Sequence, residues 1–435
     1  MKLLKIKRQL NFLNNLKFAI AVLGIIALIS SLGSVIEQDQ SINFYEKTYF
    51  KPIYGFIDAK LILTLGLDHV YTTFWFLSLL FILALSLTSC TITRQFPLVS
   101  NSKEYFFKKK KVSYLTLPFS VKFTNIFYLK ETILLKIQKM NFYLYQTQNL
   151  VYGYKGLIGR LSPILVHISL VTILGGSAFG AFKNFKAQEM LPKGEIFHVQ
   201  NPIAIGSLTF LPNVTSRVND FWVEYENNRI RQFYSNISIL DNLGNELKEQ
   251  TISVNNPLRY KNVDFYQSDW NVIGIRLKNN SKNEIYELPV FKLKENAKAW
   301  ITFLKEENET YSLVFNNLEN IFSIYDGNGK FIVNKSIGEI LAKNWIVIDT
   351  ISSTGLLIKY DPSIPIIYTG FGLLMITTIL SYLSYTQIWI FSEEKNSWIG
   401  GSTNRGKLQL EIDFENLIRD IENNVIKSPF VLKKK

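Results

Sequence analysis

Three histidines and one cysteine hold most of the ligand and thiol chemistry available to this 435-residue chain: His69, His167, His198 and Cys90. The histidines are far apart, and none stands in an H-E-x-x-H pattern, so a zinc-hydrolase site is excluded. A single cysteine excludes an internal disulfide, a cysteine-based metal cluster, a C-x-x-C-H haem attachment site and any disulfide relay within the chain. His167 is the most informative of the four. It lies in IGRLSPILVHISLVTILGGSAFGAF, residues 158–182, where only it and Arg160 can carry charge. At about 1.5 Å per residue this stretch crosses a hydrocarbon core of roughly 30 Å, and His167 falls about 13–14 Å in, near the midplane.

An ionisable side chain at that depth is costly and marks a functional-site hypothesis. Its partner could be a metal, a proton path, a cofactor or a neighbouring helix; the plainest alternative is a hydrogen bond to a neighbouring carbonyl. Gly175, Gly176, Ser177, Ala178 and Gly180 follow it and form a small-residue face that a helix or a flat ligand can approach closely. His69 sits just before a second apolar stretch and reads as a headgroup-level or helix-terminal histidine. His198 reads as a surface or capping residue, and Cys90 as a small packing residue near a membrane end.

The elements that position these residues include four expected spans: 18–36, 72–93, 158–182 and 365–391. Residues 1–17 carry five Lys/Arg and no acids, and 94–157 carry eleven against two. Residues 37–71 carry three against five, and 183–364 carry twenty against twenty-one. The excess behind the net charge of +13 is therefore one-sided. The positive-inside rule places both termini and 94–157, with Lys108 to Lys111 at the membrane surface, in a stroma or cytoplasm. No stacking platform or groove motif gives the basic excess a nucleic-acid reading. The first apolar stretch is too long for a signal core, so no cleavable leader is expected. Abundant Lys, Asn, Ile and Phe fit an AT-rich plastid or bacterial gene.

The expected fold is thus an α-helical membrane protein: four transmembrane helices, a large β-rich lumenal domain and a small α/β stromal module. The order is a membrane pair with a short lumenal loop (1–93), the module (94–157), the His167 span (158–182), the β-rich domain (183–364), the fourth span (365–391) and a stromal tail (392–435). In the module, KETILLKIQKM reads as an amphipathic helix and NFYLYQTQNLVYGYKG as a hairpin. In the tail, Gly400 and Gly401 read as a turn before a strand and a short helix that pack back on the module. The β-rich domain, sandwich-like or barrel-like, has hairpin turns at DNLGN and DGNG. Its stretch VNNPLRYKNVDFYQSDW gathers Tyr260, Phe265, Tyr266 and Trp270, a set that reads first as core and second as a ligand platform.

Four stretches resemble the ResB/CcsB membrane proteins of system II cytochrome c biogenesis, in the chloroplast form: GLDHVYTTFWF (66–76), KGLIGRLSPILVHISLVTILGGSAFGAF (155–182), VNNPLRYKNVDFYQSDW (254–270), and DPSIPIIYTGFGLLM (361–375) followed by GGSTNR (400–405). The resemblance covers nearly the whole chain. It implies a multi-pass thylakoid protein of a plastid, with a cyanobacterial thylakoid or bacterial inner membrane as alternatives. It implies a partner of the ResC/CcsA type, with which haem b is brought transiently to the lumenal side and joined to apocytochromes c. In a plastid these are cytochrome f and a soluble lumenal c-type cytochrome. Thioredoxin-like proteins supply reductant. The chain would be a subunit of a cytochrome c haem lyase rather than a catalyst alone. It also implies that His167 is an axial haem-iron ligand, in keeping with the coordination chemistry of neutral imidazole. His69, His198, Tyr260, Phe265 and Trp270 are secondary candidates. The competing function is a chaperone that holds the apocytochrome without touching haem.

Overall fold

The computed structural model describes residues 12–51, 57–103, 107–108, 112–124, 130–226, 229–294, 298–306, 309–316, 321–341, 344–393 and 396–426. The basic N-terminal start, Lys109 to Lys111 and the end of the tail lie outside the described residues. The chain divides into two compact units: residues 1–36, 73–178 and 364–435, and residues 37–72 and 179–363.

The first unit holds the apolar helices. Helix α1, Leu16–Val35, is opened by Asn15, whose side chain accepts from the Lys17 N–H. The unit's next helix, labelled α4 in chain order, is Phe74–Cys90; it passes through a π-helical turn at Thr91–Gln95 into α5, Phe96–Lys103. Helix α7, Leu157–Lys183, carries His167 and is about 40 Å long. Among the described residues three helices are long and apolar enough to cross a membrane: Leu16–Val35, Phe74–Val99 and Leu157–Lys183. The fourth apolar helix, α8, is Ile364–Leu380, only 17 residues. The expected fourth span, 365–391, is thereby shortened. Its last part, TQIWIF, alternates and is rich in β-branched and aromatic residues, and it forms a strand paired on both sides.

That strand, β19 (Thr386–Ser392), lies in a five-stranded antiparallel sheet with β1 (Phe119–Thr124), β2 (Tyr143–Gln146), β3 (Leu150–Lys155) and β20 (Asn396–Thr403), in the order β1-β20-β19-β3-β2. Helix α6 (Lys130–Lys139) and helix α9 (Lys407–Ile426) share a core with it through Ile137, Ile390, Ile399, Leu410 and Phe414. The expected hairpin is β2–β3, and the tail does return onto the module. Two details differ. The tail helix is 20 residues long, not short. Gly400 and Gly401 sit inside β20 rather than in a turn, paired with β1 on one side and β19 on the other; glycine fits there because a Cβ on Gly400 would run into Leu117 and one on Gly401 would lie 2.6 Å from the Phe414 ring.

The second unit is β-rich. Strands β11 (Val263–Asn279) and β18 (Trp345–Tyr360) pair along almost their whole length, with three irregularities in register. Such length, about 50–55 Å, serves two cores. At one end they join β4 (Phe185–Pro192), β6 (Pro202–Ile205) and β10 (Leu258–Tyr260), facing a four-stranded sheet of β5 (Ile196–Phe197), β7 (Thr215–Glu226), β8 (Arg229–Leu240) and β9 (Glu246–Ser253). Phe185, Val218, Ile237, Phe265 and Ile358 fill the space between. At the other end β12 (Glu284–Pro289) is added, and the facing sheet runs β13 (Phe291–Lys292), β14 (Trp300–Glu306), β15 (Glu309–Phe315), β16 (Ile321–Tyr325) and β17 (Phe331–Ser336). Trp270, Trp300, Phe315 and Phe322 lie in that core. The domain is sandwich-like, as expected, but it is built as two sandwiches on one shared sheet. Residues 37–72 add α2 (Ile42–Thr48), α3 (Ala59–Leu65) and a 3-10 turn at Leu67–Thr72.

Candidate functional site

The π-turn in the α4–α5 helix is what meets His167. Its sequence explains it. Thr88, Thr91 and Thr93 bond back to the carbonyls of Ala84, Leu87 and Ser89 at 2.8, 2.9 and 2.7 Å, which loosens a helix locally. Pro97 follows at once and has no N–H to continue the ladder. The Phe96 N–H reaches Thr91 O, five residues back. A π-turn adds a residue to one turn and re-aims its side chains, and such turns recur at functional sites.

Here the turn presents Thr91 and Gln95 to α7. Thr91 Oγ1 lies 3.0 Å from His167 Nδ1, and Leu87 O lies 3.3 Å from the same nitrogen. Gln95 Nε2 lies 3.2 Å from His167 Nε2. The Thr91 hydroxyl donates to Leu87 O, so it accepts from Nδ1–H. The Gln95 amide donates to Nε2, so Nε2 carries the lone pair. This network assigns a neutral imidazole with Nδ1–H tied to backbone and hydroxyl oxygens, the form that coordinates a metal through Nε2. The donor fits haem iron if the Gln95 amide swings aside. The bland expectation, a bond to a neighbouring carbonyl, is present as well, through Leu87.

Of the two expected uses of the small residues after His167, a close helix is present at Gly176. A Cβ on Gly176 would lie 3.0 Å from Ile367, and one on Gly370 would lie 2.6 Å from Ile173. Helix α8 therefore takes the close approach that these glycines allow. Of the three glycines after His167, only Gly175 looks onto open space. The Arg160 guanidinium lies 4.8 Å from the Tyr385 ring centre. Cys90 is half-buried at the end of α4.

The other candidates are dispersed. His69 pairs through Nδ1 with Asp68 Oδ2 at 2.9 Å and lines a charged cavity of about 400 Å³ with Asp39, Lys186, Lys359 and Asp361. His198 is exposed beside Gln200, with 3.0 Å between Gln200 Nε2 and His198 Nε2. Phe265 is fully buried in one sandwich, and Trp270 is buried in the other against Trp300, ring centres 5.4 Å apart. Tyr260 packs on the first core from its edge. Among the described residues no three His, Cys, Asp or Glu side chains stand together as a metal site. Thr91 and Gln95 escaped sequence reasoning; the signal for them was the threonine-rich TITRQF ahead of Pro97.

A family model described as ResB-like matches residues 16–337 and 323–415. The chain belongs to the ResB-like family. This ResB-like chain is 44% identical to the cytochrome c biogenesis protein Ccs1 of Trieres chinensis, over 94% of its own length and 99% of the relative's. It is 43% identical to Ccs1 of Phaeodactylum tricornutum, over 95% and 100%. It is 41% identical to the cytochrome c biogenesis protein CcsB of Nostoc sp., over 92% and 89%. A solved cytochrome c haem lyase, CcmF, aligns over 70% of this chain and 30% of its own at 11% identity, with a TM-score of 0.23.

Proposed function

We propose that this chain is a membrane subunit of the system II machinery for cytochrome c biogenesis, required for covalent attachment of haem to apocytochromes c. The observation that carries the reading is His167 on a membrane-capable helix, with Nδ1 tied to Thr91 and Leu87 and Nε2 facing the Gln95 amide. Membership in a family whose relatives bear the name cytochrome c biogenesis protein supports it. In this reading haem b is cargo, and His167 supplies one axial nitrogen. One histidine gives one axial bond, so the second ligand comes from a partner of the ResC/CcsA type. The clients are c-type apocytochromes such as cytochrome f and a soluble lumenal cytochrome, with reductant from thioredoxin-like proteins. All four apolar helices cross the thylakoid membrane of a plastid. The five-stranded module with both termini faces the stroma, and the double sandwich faces the lumen. The one-sided charge supports this topology.

The test is His167→Ala. If the ring only packs, its lost hydrogen bonds cost about 1–2 kcal/mol at most, and assembly survives. If it ligates iron, covalent haem on the client falls sharply while the protein and its partner accumulate normally, and added imidazole partly restores it. His69→Ala and His198→Ala are expected to have weaker effects, and Cys90→Ser none. Wild-type assembly in His167→Ala would remove the ligand role and leave the chaperone reading in front.

A further inference from the structure

The segment that follows β6 is tied to the last turn of α7. Gly206 N–H donates to Asn184 O at 2.8 Å, Leu208 N–H to Phe182 O at 3.0 Å, and the Thr209 hydroxyl to Asn184 O at 2.9 Å. These bonds cap carbonyls that the helix end leaves open. They also fix where residues 203–211 sit: at the depth where α7 ends. The side chains there are apolar and bare. Phe210 is 88% exposed and Leu208 58%, with Ile203, Ile205 and Leu211 exposed beside them. At the end of a membrane-capable helix, such a group belongs among acyl chains and headgroups rather than in water.

Next to it lies a recess of about 250 Å³ lined by Lys183, Lys261, Leu208, Thr209, Phe210 and Pro212. Neither lysine forms an ion pair among the described residues. Their nearby ring partners are neutral: Lys183 Nζ is 6.0 Å from the Phe210 ring centre, and Lys261 Nζ is 5.2 Å from that of Tyr260. Lys261 is placed there at a conformational cost. It and Asn262 form the two-residue turn between β10 and β11, with φ of 47° and 65°. Such a turn favours Asn or Gly at both positions, and a lysine in the left-handed region is disfavoured. Backbone strain of this kind collects at binding sites.

We propose that this recess binds the headgroup of an anionic membrane lipid in the leaflet at the C-terminal end of α7. Lys183 and Lys261 contact its negative charge, and Leu208 and Phe210 lie against its acyl chains. The site would seat the double sandwich on the membrane in a lipid-dependent way. It requires α7 to span the bilayer and is independent of any haem contact by His167.

The purified full-length protein is titrated in detergent with dioleoyl phosphatidylglycerol, dioleoyl phosphatidylcholine or inorganic phosphate, and binding is read by native mass spectrometry and by the thermal midpoint. Phosphatidylglycerol should bind and raise the midpoint; the other two should not. Lys183→Gln and Lys261→Asn should each weaken phosphatidylglycerol binding about fivefold. Lys261→Asn should at the same time raise the lipid-free midpoint, because asparagine suits the positive φ. Lost binding in a more stable protein is therefore not misfolding. Equal binding of the two lipids, unchanged binding in both variants, or equal stabilisation by phosphate alone (an adventitious ion only) would each overturn the proposal.

Discussion

Gln95 and His167, 72 positions apart in sequence, meet nitrogen to nitrogen at 3.2 Å, the amide of one donating to the imidazole of the other. The contact covers the atom a metal would use. In the proposed haem-ligand reading this amide would have to move before His167 could bind iron; Gln95 stands on the π-helical turn of the α4–α5 helix.

Gln95→Leu should uncover His167 Nε2. The net worth of such a hydrogen bond is about 0.5–1.5 kcal/mol. Haem titration of the purified variant should therefore show affinity raised by up to about tenfold, with the gain absent when His167→Ala is added. A Gln95→Leu protein with unchanged or weaker haem affinity would show that the amide does not compete for that nitrogen.

The glycines of α7 and α8 should differ sharply in tolerance. Gly370→Val places carbon against Ile173, whose side chain and backbone N would lie only 2.6 and 3.2 Å from the new Cβ. Overpacking there should cost about 1–3 kcal/mol, seen as reduced accumulation in membranes. Gly175→Ala meets nothing within 4 Å and should accumulate normally.

Phe265 and Tyr260 separate core from surface. Phe265→Ala empties a fully buried ring position and should destabilise the protein by about 3–5 kcal/mol, with its amounts falling in pulse-chase labelling. Tyr260→Ala, at the edge of the same core, should cost far less. If client haem attachment falls in Tyr260→Ala at normal protein levels, a contact role for this aromatic stretch gains support.

Glu37 and Tyr49 make a pH-dependent clasp outside the spans. The Tyr49 hydroxyl donates to Glu37 Oε2 at 2.5 Å. That bond holds the Glu37 carboxyl below its ordinary 4.5. Burial, and then the Glu37 bond, pushes the Tyr49 phenol from 10.0 up to about 12. Glu37's contribution is complete above about pH 4.5 and is lost as pH falls through its lower folded value; Tyr49's is complete below about pH 10 and is lost as pH rises through about 12. A titration at 295 nm of wild type minus Tyr49→Phe should show one phenol ionising near pH 12, and Glu37→Gln should move it toward 10. A phenol ionising at 10 in the wild type would dissolve the clasp.

Much of this protein was legible in its residues. The apolar runs declared α1, α4 and α7, because about twenty apolar residues in a row have few other uses. Period-two alternation and the DNLGN and DGNG turns declared β-hairpins, because turn chemistry is local. His167 declared itself by cost: a lone ionisable ring in an apolar run. What sequence alone did not decide was every relation that needs a second element. TQIWIF reads as the end of the fourth span, and only its pairing with β3 and β20 makes it a strand. The aromatic cluster at 260–270 reads as one patch, yet the length of β11 carries Phe265 into one sandwich and Trp270 into the other. The small residues after His167 read as room for a helix or a flat ligand, and at Gly176 it is helix α8 that takes it. For Thr91 and Gln95 the local sequence signals a loosened helix, in TITRQF ahead of Pro97, but not what they touch. They touch His167 because a π-turn rotates them toward that histidine on another helix, and hydrogen-bond partners across helices are fixed only when both backbones are in place.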